Sequence, residues 1–291
     1  MRGLAAFIMR GRWQALAVAV LGASSMLFGW LSAAAVALVT LRKGPSEGTW
    51  LVLWAALPAL LVAYVSGDAS TLLLLIGTYL LALVLRVSVS MALVALTSAL
   101  VGLASGAGLL VFSPDFLAQL VELFTQVLDQ LEASWQETGA GAPAFPRPTV
   151  VQVAGILAAG NAAMSMLSVL LGRWWQATLY NPGGFGSEFR SLRLPPVWTG
   201  VLALAAAGLW MSSPLLVGWA AVVMVPLTFC GLALVHNWAA VKGYGSGWLT
   251  AFYVVWVVFD PSKALLVGLV VIDALFDFRS RWASGGSNGS T

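Results

Sequence analysis

A glycine-rich segment flanked by arginines carries the residue types best suited to binding chemistry in this chain. Residues 181–186 read Asn-Pro-Gly-Gly-Phe-Gly. The basic residues on either side are Arg173, Arg190 and Arg193. Backbone N–H groups of Gly183 and Gly184, together with guanidinium groups, could bind a phosphate or carboxylate. The alternative is a tight interfacial turn, in which the proline fixes φ and the glycines adopt positive φ values.

Two further polar positions interrupt apolar sequence. Asn161 lies within an uncharged stretch, where an amide needs a partner and finds either another helix or a substrate. Asp260 precedes Pro261, so it either caps a helix that begins there or marks a broken helix whose N-terminus lies at membrane depth. If these elements converge, an anionic amphiphile could place its charge at the arginines and its apolar body near Asn161.

Other chemistries have few residues to support them. Cys230 is the only cysteine and His236 the only histidine, which excludes cysteine clusters and paired-His zinc sites and disfavours a Ser-His-Asp triad. The glycine segment lacks the Lys-Ser/Thr ending of a nucleotide P-loop. We therefore expect no enzyme activity, no nucleotide hydrolysis and no cofactor. Basic residues scattered singly between apolar runs argue against a nucleic-acid partner.

The composition predicts that lipid is the solvent of this protein. Of 291 residues, 60% are hydrophobic and 9% are charged, whereas a soluble domain carries roughly 25% charged residues. The apolar runs are continuous and lack the alternation of a barrel strand, so helices must satisfy the backbone. The expected fold is an all-α polytopic membrane helix bundle of about eight membrane segments, forming one domain over residues 1–278.

The membrane segments are predicted from the uncharged runs and the breaks between them. Residues 13–41 exceed the roughly 20 residues of one span, so they form either one tilted helix or a short hairpin. Clear spans are expected at 50–65, 71–85, 87–112 and 150–171. Residues 197–235 split at Ser212-Ser213-Pro214 into a short span and a longer one. The last pieces, 248–259 and 264–272, form a broken helix or a re-entrant hairpin.

Three other segments have a different character. Residues 114–137 begin with proline and an acid, and their apolar residues recur at three and four, which predicts an amphipathic helix. Its polar side has no lysine or arginine, so we place it on the outer face. Residues 173–196 are predicted to be a polar cytoplasmic connector. The dense prolines and glycines of 139–148 predict a loop, and residues 279–291 a disordered tail.

The distribution of lysine and arginine predicts the sidedness. If both end segments are hairpins, only Arg147 and Lys263 lie outside the cytoplasmic side. The cytoplasmic set is then Arg2, Arg10, Arg12, Arg42, Lys43, Arg86, Arg173, Arg190, Arg193, Lys242, Arg279 and Arg281. A single first span would place most of the following basic loops outside. The hairpin topology is therefore favoured, with both termini cytoplasmic in a bacterial inner membrane.

Part of the chain resembles a known family. Gly160-Asn161, Arg173-Trp-Trp-Gln and the Asn-Pro-Gly-Gly-Phe-Gly turn with its Glu-Phe-Arg continuation resemble the YybS-like family of bacterial integral-membrane proteins. The ending Asp273, Asp277, Phe278 and Arg279 is similar as well. Such proteins are distantly similar to the membrane subunits of vitamin-uptake transporters, so the resemblance implies transport.

Two classes of function follow from these patterns. The first is transport, or the handling of lipids or small molecules, with membrane lipids and an anionic ligand as partners. The second is a non-catalytic membrane scaffold that binds a protein partner through the connector. A polar cavity that reaches from Asn161 to Asp260 or Arg86 would favour the first.

Overall fold

The computed structural model describes residues 1–25, 27–137 and 145–279, and the regular secondary structure within these ranges is helical. One turn of 3₁₀ helix, Pro214–Leu216, separates α10 from α11. The helices are α1 Arg2–Arg10, α2 Arg12–Ala23, α3 Gly29–Lys43, α4 Pro45–Ser66, α5 Ser70–Ser88, α6 Met91–Phe112, α7 Pro114–Glu137, α8 Val150–Tyr180, α9 Gly184–Arg190, α10 Pro196–Ser212, α11 Val217–Val241, α12 Ser246–Val258 and α13 Pro261–Phe276. The loop predicted at 139–148 and the tail predicted at 279–291 fall largely outside the described residues.

Within the described residues, five helical stretches are long and apolar enough to cross a membrane: α4, α5, α6, α8 and Pro214–Val241. The pair α12 and α13 is bent by 114° and would count as a sixth span if taken together. The chain is thus a multi-pass helical membrane protein, and the expected break near residue 260 is confirmed. The prediction of about eight membrane segments exceeds these five or six, because α10 is short and α2 and α3 are separate helices.

The first apolar run is a hairpin and not one tilted helix. Its two helices, α2 and α3, pack against each other across a turn, where the hydroxyl of Ser32 donates to the carbonyl of Ala19 at 2.6 Å. A helix that the sequence analysis did not identify, α1, precedes them and buries Ala5 and Ile8 completely.

The long helix α8 sets the geometry of the bundle. It begins with a capping box, in which Thr149 Oγ1 accepts from the Gln152 amide and Gln152 Oε1 accepts from the Thr149 amide. It spans roughly 46 Å at 1.5 Å per residue, more than the hydrocarbon core of about 30 Å. The helix therefore continues beyond the predicted end at residue 171, and residues 173–180 are helical. It contains no proline, and the helix continues through Gly155, Gly160 and Gly172 until Asn181-Pro182.

The ends of α3, α5 and α8 lie together at what we call the basic end. There the guanidinium of Arg86 donates to the carbonyl of Leu41 at 2.5 Å. The opposite end holds the starts of α3 and α5 with Asp68, and α7 follows α6 there. Many basic residues of the described chain lie at this end, near or just after the last residue of a helix. They are Arg42, Lys43, Arg86, Arg173, Arg190, Arg193, Lys242 and Arg279.

Helix α7 confirms the amphipathic prediction. Leu117 is fully buried against the bundle, and Leu120 packs beside it. Further along, Phe124 and Val127 are about half exposed, so the apolar side of the later turns has no cover from the bundle. On its acidic side, Arg147 donates to Glu132 at 2.9 Å and pairs with a second acid, Asp129.

Candidate functional site

An open cleft of about 590 Å³ lies at the basic end, where α3, α5 and α8 meet the segment that leads to α9. We call it the arginine cleft. Its charged and amide side chains are Arg42, Arg86, Arg173, Gln176, Asn181 and Glu188. Three guanidinium groups thus face one carboxylate, which leaves two positive charges (3 − 1) without a counter-charge in the lining.

Arg86 is held at the C-terminus of α3. One of its Nη atoms donates to the carbonyl of Leu41 at 2.5 Å and to that of Thr40 at 3.3 Å. The last carbonyls of a helix lack intrahelical partners and carry partial negative charge, so a guanidinium is stabilised there. The sequence analysis did not connect Arg86 with the other arginines.

Arg42 lies at the mouth of the cleft against an aromatic ring. Its guanidinium carbon is 4.0 Å from the centroid of the Tyr180 ring, which is the geometry of a cation–π contact. This contact holds the side chain at the edge of the cleft, which it lines.

Arg173 forms the strongest contact of the cleft. Its Nη2 lies 2.5 Å from one carboxylate oxygen of Glu188, and its Nε donates to the other at 3.2 Å. The side chains are 19% and 25% exposed, so this bidentate pair is partly withdrawn from water. The pair ties α8 to α9 and places Glu188 where it competes with any incoming anion.

The glycine segment builds the turn that makes this pairing possible. Gly183 has a φ of 88°, a left-handed conformation that favours glycine. A Cβ on Gly184 would lie 2.4 Å from the Asn181 amide nitrogen, so a side chain there would displace Asn181. The geometry therefore supports the turn interpretation, in which these glycines position Glu188, and the anion-binding groups are the side chains around the cleft.

Arg190 lies in a smaller pocket of about 230 Å³ beside the cleft. His236 and Tyr253 line it as well, and His236 Nε2 lies 2.8 Å from the Tyr253 hydroxyl. The backbone carbonyl of Arg190 accepts a hydrogen bond from Arg279 at 2.8 Å. Arg190 is thus adjacent to the cleft but is not among the residues that line it.

Arg193 belongs to a separate group of ion pairs, which we call the C-terminal clamp: Arg193, Asp273, Asp277 and Arg279. Arg193 lies 2.6 Å from Asp277 and donates to the Asp273 carbonyl at 2.9 Å, while Arg279 Nε lies 3.3 Å from the Asp273 carboxylate. Burial lowers the pKa of Arg279, and Asp273 acts against that shift. The four charges cancel, so the clamp closes α13 onto the α9–α10 link.

Asn161 of α8 forms hydrogen bonds to two neighbouring helices, α5 and α6, and also lines a second cavity. Its Nδ2 donates to the Ser70 carbonyl at 3.1 Å, and its Oδ1 accepts from the Ser105 hydroxyl at 3.2 Å. The cavity, of about 540 Å³, lies at the opposite end and includes Asp68 and Trp30. The interhelical bond and the ligand-facing position therefore coexist.

Asp260 lies away from both cavities. It occupies the N-cap position of α13, but its side chain makes no cap hydrogen bond and instead lies 2.5 Å from Lys263 Nζ. The Asp260 side chain is 86% exposed. The predicted site residues thus fall in separate places, and the three elements of the amphiphile hypothesis do not converge. Of the predicted set, only Arg173 lies in the arginine cleft.

The cleft is formed mainly by residues that sequence reasoning left unassigned. Arg42 was predicted only as a cytoplasmic residue, Arg86 as a cytoplasmic anchor and as one end of the cavity that would favour transport, and Glu188 carried no role. The sequence did carry a weak signal for the two arginines: Arg42 and Arg86 are each the first charged residue after an apolar run. Comparison of the chain with protein-family models, with curated proteins and with solved structures gives no match, so the resemblance to the YybS-like family stays a prediction.

Proposed function

We propose that this protein binds a phosphate- or carboxylate-bearing molecule in the arginine cleft, as part of transport or of lipid and small-molecule handling. The observation that supports the proposal is the uncompensated charge of the cleft: Arg42, Arg86 and Arg173 face Glu188 alone. A volume of about 590 Å³ lies within the range of roughly 300–1,000 Å³ that is typical of ligand pockets. No step of the proposal requires nucleotide hydrolysis.

The location of the cleft favours an anion of the membrane interface. The basic end lies at the ends of α5 and α8, which are long and apolar enough to span a membrane, and this supports a position at the membrane boundary. The positive-inside rule favours the cytoplasm for a side rich in lysine and arginine. We therefore place the cleft at the cytoplasmic face of a bacterial inner membrane. Anionic lipid headgroups are concentrated at such a surface, and a free phosphate ester offers the same oxygen atoms.

A binding measurement on the purified, detergent-solubilised protein tests the proposal. Phosphatidylglycerol is titrated against the native chain by native mass spectrometry, with zwitterionic phosphatidylethanolamine as the comparison lipid. Arg173→Gln should weaken phosphatidylglycerol binding by about tenfold or more, since a charge-assisted hydrogen bond contributes roughly 1.5–3 kcal/mol. Lys242→Gln, which removes a charge at the same end outside the cleft, serves as the matched control and should change binding little.

A second variant should change affinity in the opposite direction. Glu188→Gln removes the carboxylate that competes for Arg173, so anion affinity should rise, whereas a purely structural pair would give no gain. Competition by glycerol 3-phosphate separates the two sources of ligand: displacement of the lipid indicates a soluble phosphate ester, and its absence indicates a lipid headgroup. Unchanged binding in Arg173→Gln and Arg42→Gln alike would overturn the proposal.

A further inference from the structure

The helices α3, α5 and α8 pack against one another along a contact that we call the seam. The arginine cleft lies at one end of the seam, and the second cavity, which Asp68 and Asn161 line and which we call the opposite cavity, lies at the other. The cleft is lined by the last turns of α3, α5 and the C-terminal part of α8, and the opposite cavity by the first turns of α3 and α5 with the middle of α8. On α8, Asn161 marks one cavity and Arg173 the other, separated by about 18 Å of helix at 1.5 Å per residue. The same three helices therefore enclose everything between the two cavities.

Hydroxyl groups follow the seam along α8. Ser165 and Ser168 lie one and two turns beyond Asn161, and both are buried. The Ser165 hydroxyl donates to Asn161 Oδ1 at 3.5 Å, and that of Ser168 to the Trp30 carbonyl at 3.4 Å. Both bonds are long. By contrast, the hydroxyl of Thr40 in α3 donates at 2.7 Å to the carbonyl four residues earlier. The seam hydroxyls on α8 are thus held by longer hydrogen bonds than that of Thr40.

Thr78 of α5 supplies a second, independent observation. Its side chain is fully buried, and Oγ1 has no hydrogen-bond partner among the described residues. By helical periodicity, Thr78 lies on the α5 face that carries Thr71 and Leu74, which line the opposite cavity, and Leu85, which lines the cleft. A buried hydroxyl without a partner is costly, so its position between two cavities points to a transient polar occupant.

The seam is closed by close backbone packing near the cleft. A Cβ on Gly172 of α8 would lie 2.8 Å from the Ala37 Cβ and 3.0 Å from the Ala34 carbonyl oxygen. Here α8 and α3 meet through glycine and alanine, so the two helices approach each other closely. Larger side chains, among them Leu38, Leu75 and Trp175, are fully buried where α3, α5 and α8 pack together. A displacement of α8 from α3 that also moves these side chains would join the two cavities.

We propose that the seam of α3, α5 and α8 is a translocation route for the phosphate- or carboxylate-bearing molecule that binds in the arginine cleft. This inference rests on the proposed function and extends it. The guanidinium groups collect the anion at the basic end. Thr78, Ser165 and Ser168 then provide hydroxyl donors through the membrane interior, and the opposite cavity releases the molecule beside Asn161. In the structure the route is closed between the cavities.

Thiol accessibility tests the route without knowledge of the substrate. The only native thiol, Cys230, is 1% exposed, so the native chain gives the baseline. Thr78→Cys is reconstituted in vesicles and treated from either side with a membrane-impermeant, anionic methanethiosulfonate. The control is Ile76→Cys, two residues away on the same helix but 41% exposed on the outer surface of the bundle. Lys242→Cys reports which side each treatment reaches.

A route predicts that Thr78→Cys reacts from both sides, at least tenfold faster than Ile76→Cys. Reaction from one side only would show a dead-end cavity, and reaction from neither would show a sealed seam; either result overturns the route. Ser168→Cys repeats the test if Thr78→Cys does not fold. Phosphatidylglycerol binding is measured on the same samples. A sealed seam with binding that still depends on Arg173 refutes the route alone, whereas binding that is unchanged by Arg173→Gln and Arg42→Gln refutes the proposed function.

Discussion

The arginine cleft and the C-terminal clamp use the same residue type in opposite ways. In the clamp, Arg193 and Arg279 are matched by Asp273 and Asp277, and the Asp273 side chain is 3% exposed. In the cleft, Glu188 is the one carboxylate among three arginines, and the lining opens to solvent. Arg173 and Arg193 are only twenty residues apart (193 − 173), yet one stands at a ligand-sized opening and the other inside a neutral cluster.

The difference shows that charge balance, more than the number of arginines, separates a binding surface from a structural one. Burial removes the hydration energy of an ion pair, and only the attraction between the charges and their hydrogen bonds offsets that loss. A neutral, enclosed set of charges is therefore stable only while all of its members are present. An excess of one sign at an open surface remains hydrated and can exchange water for a ligand. The two regions should therefore respond to mutation in different measurements.

Loss of a carboxylate from the clamp should have the largest effect on stability. Asp273→Asn leaves Arg193 and Arg279 facing each other without their buried counter-charge, and removal of one partner from such a pair costs about 3–5 kcal/mol. We expect a large fall in the free energy of unfolding, measured by titration with SDS in mixed micelles. Asp277→Asn should cost less, because that side chain is 49% exposed.

The comparison would break if Asp273→Asn retained native stability while phosphatidylglycerol binding fell. The clamp would then contribute to the ligand site, and the separation of the two arginine groups would be wrong. Native binding per folded molecule, with reduced stability, is the expected outcome.

The corresponding change in the cleft should have a smaller effect on stability. Glu188→Gln removes a partly exposed pair, and such pairs contribute roughly 0–1 kcal/mol. The same SDS titration should therefore detect little change, even though the variant is expected to bind anions more tightly. A stability loss as large as that of Asp273→Asn would mean that Arg173 and Glu188 form a second clamp.

The sequence predicted the helices well because their signals are local. The amphipathic pattern of α7, the split at Ser212-Ser213-Pro214 and the break at Asp260 all depend on neighbouring residues, and the structure confirms them. The end of α8 was misjudged because a charge at Arg173 ends an apolar run without ending a helix. Hydropathy reports where an apolar run stops, whereas α8 ends only at the Asn181-Pro182 turn, because proline cannot continue a helix.

The arginine cleft could not be predicted for a different reason. Arg42, Arg86 and Arg173 come from three helices, and their approach depends on which helices pack side by side. The same is true of the seam, whose two cavities contain residues from three distant parts of the chain. Arg173, Arg190 and Arg193 were predicted to form one site because they are close along the chain. In the folded protein they lie in three places: the cleft, the smaller pocket and the clamp.

The smallest effect concerns a third arginine group, at the exposed α7. Arg147 donates to Glu132 at 2.9 Å, and this hydrogen bond lowers the pKa of the carboxyl below its ordinary value of 4.5. A carboxyl whose pKa is lowered in the folded protein contributes its stabilisation above pH 4.5 and loses it as the pH falls through the folded value. The link between α7 and the segment before α8 should therefore loosen only below pH 4.5. Hydrogen exchange of α7 amides, corrected for the intrinsic pH dependence, should show faster opening there in the native chain and no such step in Glu132→Gln.

Because this pair lies in solvent, moderate salt should reduce the effect, whereas the buried clamp should be much less sensitive to salt. An equal salt response from the two groups would show that burial is not what distinguishes them.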